Sequence, residues 1–128
     1  MILLDSSVIV DLWRTKRGEV PQLLPGGEIV VCGVVWAEML QGARSQDDDK
    51  KIRYRLSLFQ QVPIPEAIWS ELGVNLNILK RNGVTVPFPD VLLATVALHH
   101  DLELWTLDKH FVRVRDYLPQ LRLYVTGT

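Results

Sequence analysis

Residues 2–13, with the sequence ILLDSSVIVDLW, decide the fold class because they change from a strand pattern to a helix pattern within a few residues. Ile2-Leu3-Leu4 is a continuous apolar run and predicts a short buried strand. The polar junction Asp5-Ser6-Ser7 ends that strand, and either the aspartate or a serine can cap a helix that runs through Trp13. An apolar strand that leads directly into a helix is typical of α/β proteins.

The rest of the chain continues this alternation of strands and helices. Short apolar runs predict further strands at residues 28–32, 62–64, 102–105 and 121–125. Helical spacing predicts helices at residues 33–43, 47–59, 65–81 and 91–98, and residues 108–116 are interpreted as a short polar stretch. The helix at residues 91–98 is apolar on nearly every face, so we expect it to be buried centrally. The pattern predicts an α/β fold of three layers, α/β/α, with a central parallel β-sheet.

Composition and charge limit the class of protein. The 128 residues carry 14 Lys and Arg against 15 Asp and Glu, a net charge of -1, and 48% of them are hydrophobic. This predicts a single domain over residues 1–128 with its own core, and the one cysteine, Cys32, excludes an internal disulfide. The sequence shows neither a secretory signal nor an apolar run of membrane length, so we expect a cytoplasmic protein. The charge balance argues against a general nucleic-acid coat protein.

Four of the acids lie in apolar surroundings, where an unpaired charge is costly. Asp5 and Asp108 each follow a predicted strand, Glu38 lies within the apolar helix at residues 33–43, and Asp90 begins the helix at residues 91–98. A single acid of this kind is usually a helix cap or half of a salt bridge. However, the ends of parallel strands meet at one edge of a sheet, so we expect these four carboxylates to converge there.

Four converging carboxylates repel one another unless a cation lies between them, and Mg²⁺ or Mn²⁺ is the cation that prefers oxygen ligands. Such an ion makes a coordinated water easier to deprotonate and neutralises charge that builds up on a phosphodiester. A neighbouring carboxylate can accept the proton. The four acids therefore predict a metal-dependent nuclease.

Two alternative functions remain at this point. A phosphatase or phospho-acceptor domain also places an aspartate after the first strand, but Asp5-Ser6-Ser7 lacks the DxD pattern of the aspartyl phosphatases. A non-catalytic module that binds RNA or protein is the alternative from another class. The presence of all four acids argues against it, since such a module has no physical reason to keep uncompensated carboxylates together.

The sequence resembles the PIN-domain ribonucleases, and most closely the VapC toxins of toxin–antitoxin pairs. Four segments carry the resemblance in the family's order: ILLDSSVIVDLW, VVWAEMLQGA, FPDVLLATVALHHD and LWTLDKHF. The resemblance implies a PIN-like fold and a Mg²⁺- or Mn²⁺-dependent endoribonuclease, held inactive by a cognate VapB-type antitoxin. It also implies a homodimer, whose contact face the predicted helix at residues 72–79 or the one at 52–59 would supply.

The resemblance also assigns roles to individual residues. It implies that Asp5 and Asp90 are direct metal ligands, and that Glu38 and Asp108 complete the catalytic pocket through water and orient the nucleophile. Ser6 and Thr106 occupy positions where the family has hydroxyl residues that hydrogen-bond the carboxylates or water; for Ser6 a plain N-cap is the preferred interpretation.

The chain departs from the family pattern after the fourth acid, where many relatives carry another acid or amide. Here the residues are Lys109-His110-Phe111, and His110 is interpreted as a solvated loop residue that could also contact phosphate. His99 and His100 end a buried helix and need no catalytic role.

Two groups of side chains are candidates for binding RNA and the partner. Basic residues near the acids would contact the phosphate backbone of RNA without reading its sequence: Arg14, Lys16, Arg17, Lys109, Arg113 and Arg115. The predicted helices in the first half of the chain carry five large apolar residues, which belong to the core or, where they are exposed, to a groove for an antitoxin segment. These residues are Trp13, Trp36, Leu40, Tyr54 and Phe59.

Overall fold

The computed structural model describes residues 1–15, 23–24 and 27–125. Lys16 and Arg17, two of the candidate RNA contacts, lie outside the described residues. The elements in chain order are β1 (Ile2–Leu4), α1 (Ser6–Thr15), β2 (Leu23–Leu24), β3 (Gly27–Cys32), α2 (Gly33–Gln41), α3 (Gln46–Ser57), β4 (Gln60–Val62), α4 (Ile68–Arg81), α5 (Phe88–His99), β5 (Glu103–Trp105), α6 (His110–Tyr117) and β6 (Arg122–Leu123).

Five parallel strands form the central sheet in the order β4-β3-β1-β5-β6. Strand β1 lies in the middle, where Leu3 is paired with Val30 on one side and with Leu104 on the other. The short strand β2 pairs antiparallel with the start of β3 and has no counterpart in the sequence prediction. Apart from β2, the sheet confirms the predicted parallel α/β fold. Among the described residues, no helix is long and apolar enough to cross a membrane.

The core lies around the central strands and α5. All three residues of β1 are fully buried, and so are Ile29 to Cys32 of β3. Helix α5 buries residues on all its faces, including Leu93, Ala94, Val96 and Ala97, as its apolar sequence predicts. Its buried Thr95 hydroxyl donates to the Val91 carbonyl at 2.7 Å and accepts from Asn75 of α4 at 3.0 Å. A polar residue is thus accommodated in this helix because both of its bonding roles are satisfied.

Several element boundaries differ from the prediction. Helix α5 begins at Phe88, three residues before its predicted start, because a proline such as Pro89 is tolerated in the first turn of a helix. Strand β4 ends at Val62 instead of beginning there, because Pro63 has no N–H to donate to a neighbouring strand. Helix α4 begins at Ile68, after a turn in which the Ile68 N–H donates to the Pro65 carbonyl at 3.0 Å. Strand β6 is only Arg122–Leu123, shorter than the apolar run that predicted it.

Helix α6 occupies most of the stretch that the sequence suggested only as polar. It buries Phe111 and Val114, and the next buried residue, Leu118, follows one turn after Val114. This spacing of three and four residues is a helical signal. Basic residues in between, such as Arg113 and Arg115, lower the mean hydropathy of the segment and hide that signal.

Candidate active site

The carboxyl ends of β1 and β5 form one edge of the sheet. Leu4 and Trp105 are paired across these strands, and the Asp5 N–H continues the pairing by donating to the Trp105 carbonyl at 2.9 Å. Asp5 and Thr106 therefore follow neighbouring strands at the same level, with Asp108 two residues further on. This is the juxtaposition that the sequence predicts for Asp5 and Asp108.

The Asp5 carboxylate is held by two hydroxyl groups. Its side chain is only 2% exposed, and its Oδ2 accepts from the Ser7 hydroxyl at 2.6 Å and from the Thr106 hydroxyl at 2.7 Å. Each hydroxyl in turn accepts a backbone N–H, from Leu107 at 3.1 Å and from Asp108 at 3.0 Å. The backbone N–H groups of the β5–α6 connection thus hold the two hydroxyl groups that donate to Asp5. The other oxygen, Oδ1, has no hydrogen-bond partner among the described residues and is free to bind a ligand.

Glu38 extends from α2 toward the same edge, where Ser6 donates to its Oε1 at 3.3 Å. Burial raises the pKa of the Glu38 carboxyl above its usual value, and the negative charges of Asp5, Asp90 and Asp108 raise it further. All four acids are therefore close enough to interact electrostatically.

Asp90 lies in the first turn of α5, where the Asp90 N–H donates to the Pro87 carbonyl at 3.0 Å. Its side chain is mostly buried, and its Oδ2 lies 2.7 Å from Nε2 of His110, the first residue of α6. Burial raises the pKa of Asp90, the bond to His110 opposes that shift, and the charges of Asp5 and Asp108 add to it. His110 is thus the one partner of this carboxylate within the described part of the chain.

The acid cluster formed by Asp5, Glu38, Asp90 and Asp108 lacks compensating cations. Within residues 1–15 and 27–125, no Lys or Arg makes an ion pair with any of the four, and His110 on Asp90 is the only basic contact. Among the described residues, no three His, Cys, Asp or Glu side chains are placed so that they could hold one metal ion together. The donors that the four acids offer are all oxygen atoms. A hard divalent cation prefers oxygen, binds few carboxylates directly and keeps several of its waters. The donor set therefore fits Mg²⁺ or Mn²⁺.

Two interpretations of neighbouring residues were wrong. Ser6 is the first residue of α1 and donates to Glu38, so the preferred N-cap interpretation fails in favour of the carboxylate contact. His110 is not a solvated loop residue, because it begins a helix and contacts Asp90. His99 and His100 bind Glu71 and the Pro63 carbonyl and stand in no contact with the acid cluster.

Ser7 is a further residue of the site, and its role could not be predicted from the sequence. Its local signal was ambiguous, since three polar residues in a row end β1 and any of them could serve as a cap. Only the approach of Thr106, 99 residues away in the chain, shows which hydroxyl reaches Asp5.

A five-stranded parallel sheet with an acid cluster near the carboxyl ends of β1 and β5 defines a class of small α/β domain, and comparison with known proteins identifies the family. The sequence profile of the PIN domain matches residues 2–117. The chain belongs to the PIN domain family.

Within that family, the similar proteins are called ribonuclease VapC. VapC1 of Methanocaldococcus jannaschii is 28% identical over 117 residues, which cover 91% of this chain and 82% of that protein. VapC1 of Haemophilus influenzae is 30% identical over 123 residues, covering 89% and 92%. Among solved structures, VapBC-1 from nontypeable Haemophilus influenzae superposes with a TM-score of 0.77 at 25% identity and covers 97% of each chain.

Proposed function

We propose that this protein is a Mg²⁺- or Mn²⁺-dependent endoribonuclease and the toxin of a type II toxin–antitoxin pair, acting in the cytoplasm. The observation that carries the proposal is the acid cluster, in which four carboxylates lie close enough to interact electrostatically and only His110 compensates one of them. The ribonuclease names of the VapC relatives support the reaction, and the VapBC structure supports the pairing with an antitoxin.

Asp5 and Asp90 are the residues that would hold the cation directly. Each has one oxygen engaged by protein donors, Asp5 by Ser7 and Thr106 and Asp90 by His110, which leaves its second oxygen for the ion. When bound, the divalent cation would supply the positive charge that activates water and stabilises the phosphodiester as charge develops on it.

Glu38 and Asp108 are the candidates for handling the attacking water. The raised pKa of Glu38 makes this carboxylate a better proton acceptor than an ordinary glutamate. The Ser6 hydroxyl donates to one of its oxygens at 3.3 Å and limits the movement of the carboxylate. Asp108 is fixed through its backbone by Thr106 and would complete the pocket through water.

The antitoxin site that we propose is the groove between α1, α2 and α3. The groove has a volume of about 270 Å³, and Trp13, Met39 and Ile52 form its apolar part. The Arg55 guanidinium lies 4.6 Å from the centre of the Trp13 ring. Because Glu38 also lines this groove, a segment bound there would reach the acid cluster. Binding of the antitoxin would then also inhibit RNA cleavage.

A homodimer is also part of the proposal, with α4 as the contact. Leu72 and Leu79, which lie on α4, are buried within the chain, but Val74 is 57% exposed and lines a shallow groove between α4 and α5. We choose α4 over α3 because α3 contributes Ile52 and Arg55 to the groove assigned to the antitoxin.

The experiment that tests the activity is cleavage of structured RNA by purified, antitoxin-free protein in Mg²⁺ or Mn²⁺, with and without EDTA. We expect cleavage that EDTA abolishes and that Asp5→Asn and Asp90→Asn each reduce to background. Cleavage that persists in EDTA, or in both variants, would show that the acid cluster is not the active centre. A wild-type protein that binds RNA without cutting it would favour the non-catalytic module.

The toxin role has a separate test. We expect the gene next to this one to encode a small protein that copurifies with the chain and inhibits cleavage. Trp13→Ala should weaken that complex while cleavage by the free variant persists. An unaffected complex would place the partner elsewhere.

A further inference from the structure

A second cavity lies directly beside the acid cluster, on the other side of Thr106 and Asp108. It is an open pocket of about 350 Å³ between β5, β6 and α6. Its apolar lining consists of Trp105, Leu107, Val112, Leu123, Tyr124 and Val125. Neither the proposed reaction nor the proposed antitoxin groove uses this pocket.

The pocket presents apolar and aromatic surface to solvent. Leu107 and Val112 are 53% and 45% exposed, although both are apolar. The Trp105 and Tyr124 rings lie 5.3 Å apart between centroids and are tilted by 58°, and the Tyr124 N–H donates to the Leu104 carbonyl at 2.8 Å. The aromatic pair is therefore fixed to the sheet and does not depend on a ligand for its position.

The charges around the pocket favour an anionic ligand. Lys109 and Arg115 are part of its lining, and neither makes an ion pair with a residue in the described ranges. Asp108 is the one acid in the lining, so two basic side chains outnumber a single acid there. A phosphate backbone that passes over the rim would meet two available cations.

We propose that this pocket binds one unpaired nucleobase of the RNA, next to the phosphodiester that lies at the acid cluster. The inference rests on the proposed ribonuclease function and adds a binding subsite to it. Thr106 connects the two sites, since it lines the pocket and its hydroxyl holds Asp5. A base in the pocket would therefore set the position of the adjacent phosphate relative to Asp5.

The chemistry of the lining favours a nucleotide. The pocket of about 350 Å³ is at the small end of ligand sites, which suits a single base. Aromatic and apolar surface flanked by basic residues is the combination that single-stranded nucleic acids use, with bases on the apolar surface and phosphates on the cations.

The test measures binding of a short, fluorescently labelled single-stranded RNA to metal-free protein in EDTA, where no cleavage occurs. Two variants alter the pocket, Val112→Glu by adding charge and Tyr124→Leu by removing the ring. Leu58→Glu makes the same charge change at an exposed residue next to β4, the opposite edge of the sheet. We expect both pocket variants to weaken binding about tenfold and the control to bind like the wild type.

A single abasic nucleotide, moved along the same RNA, identifies base recognition. We expect the affinity of the wild-type protein to fall when the abasic nucleotide is at one particular position in the RNA. The affinity of Tyr124→Leu should not depend on where the abasic nucleotide lies. Two results would overturn the proposed base-binding pocket. One is an equal loss of RNA affinity in Val112→Glu and Leu58→Glu, and the other is wild-type binding that is insensitive to the abasic nucleotide at every position. A change of oligomeric state in Val112→Glu would assign the surface to a second copy and would also overturn it.

The two proposals fail separately. Metal-dependent cleavage by a protein whose binding shows no abasic-sensitive position would contradict the pocket alone. Base-dependent binding by a wild-type protein that never cleaves would support the pocket and contradict the enzyme.

Discussion

Asp5 shows how a buried carboxylate is kept in place without a basic partner. Two hydroxyls donate to the same oxygen, and the backbone of the β5–α6 connection donates to both hydroxyls. Hydrogen bonds to an ionised group are about twice as strong as those between neutral groups, so this arrangement offsets part of the cost of burial. The arrangement leaves the second carboxylate oxygen free, as a metal ligand requires.

His110 has an analogous role at Asp90, and its removal should destabilise the metal-free protein. In His110→Ala the buried carboxylate loses its partner, which costs about 1–3 kcal/mol. His110→Gln keeps an N–H donor and should lose less. The measurement is urea unfolding in EDTA.

A matched control for His110→Ala is available in the same chain. His99 contacts Glu71 at 2.8 Å on the surface, where such a pair is worth at most about 1 kcal/mol. If His99→Ala and His110→Ala cost the same, His110 does not compensate a buried charge.

Glu38 should oppose folding at neutral pH when no metal is present. Because the pKa of Glu38 is raised in the folded state, its charged form is disfavoured there, and the penalty applies above the folded pKa. As the pH falls toward the unfolded value, the penalty disappears. We therefore expect Glu38→Gln to raise the melting temperature in EDTA at pH 7.5, and to raise it less at pH 5.

Glu66, which is exposed, provides the comparison for this variant. Glu66→Gln should leave the melting temperature nearly unchanged at both pH values. A Glu38→Gln protein that melts below the wild type at pH 7.5 would contradict the electrostatic interpretation of the acid cluster.

The sequence was sufficient to find the four acids but not all of their partners. Asp5 and Asp108 follow apolar strands, and Asp90 begins an apolar helix. Such positions can be recognised from the sequence alone. The contacts of Ser7 with Thr106 and of His110 with Asp90 span 99 and 20 residues. They depend on the strand order of the sheet and on α6, which the sequence did not predict.

At the scale of elements, predictions were most accurate where one signal dominated. Helix α5 was predicted from its uniform apolar character, and β1 and β3 from continuous apolar runs. Errors arose where two signals competed, as at β4, where an apolar run includes Pro63, and at α6, where charged residues alternate with buried ones.

Helix α3 offers a direct test of the local rules, because a side chain caps its first turn. Ser45 is its N-cap, and the Ser45 hydroxyl accepts from the Asp48 N–H at 3.0 Å. We expect Ser45→Ala to lower the free energy of unfolding by about 1 kcal/mol in chemical denaturation. Ser70→Ala, at an exposed position inside α4, should be nearly neutral. Equal effects would mean that the cap does not stabilise α3.

The net charge of the whole molecule hides an excess of basic residues outside the acid cluster. Without the four acids of the cluster, the sequence has 14 basic residues against 11 acids, although its net charge is -1. Net charge alone argued against binding to nucleic acid, whereas its distribution favours a localised RNA site.

The proposed dimer is also a property of the whole molecule, and its contact lies on α4. A charge at Val74 would have to be buried between two copies, so Val74→Glu should shift the protein from dimer to monomer in light scattering coupled to size exclusion. Tyr54→Glu, at an exposed position of α3, should leave the dimer intact. The reverse result would assign the contact to α3.

The acid cluster as a divalent-cation site is tested most directly by a crystal structure of the protein grown with Mn²⁺, with anomalous scattering used to locate the ion. We expect an anomalous peak within coordination distance of the free oxygens of Asp5 and Asp90, with water as the remaining ligands. A peak at the surface acids Asp47, Asp48 and Asp49 instead, or no peak among the four acids, would contradict the assignment.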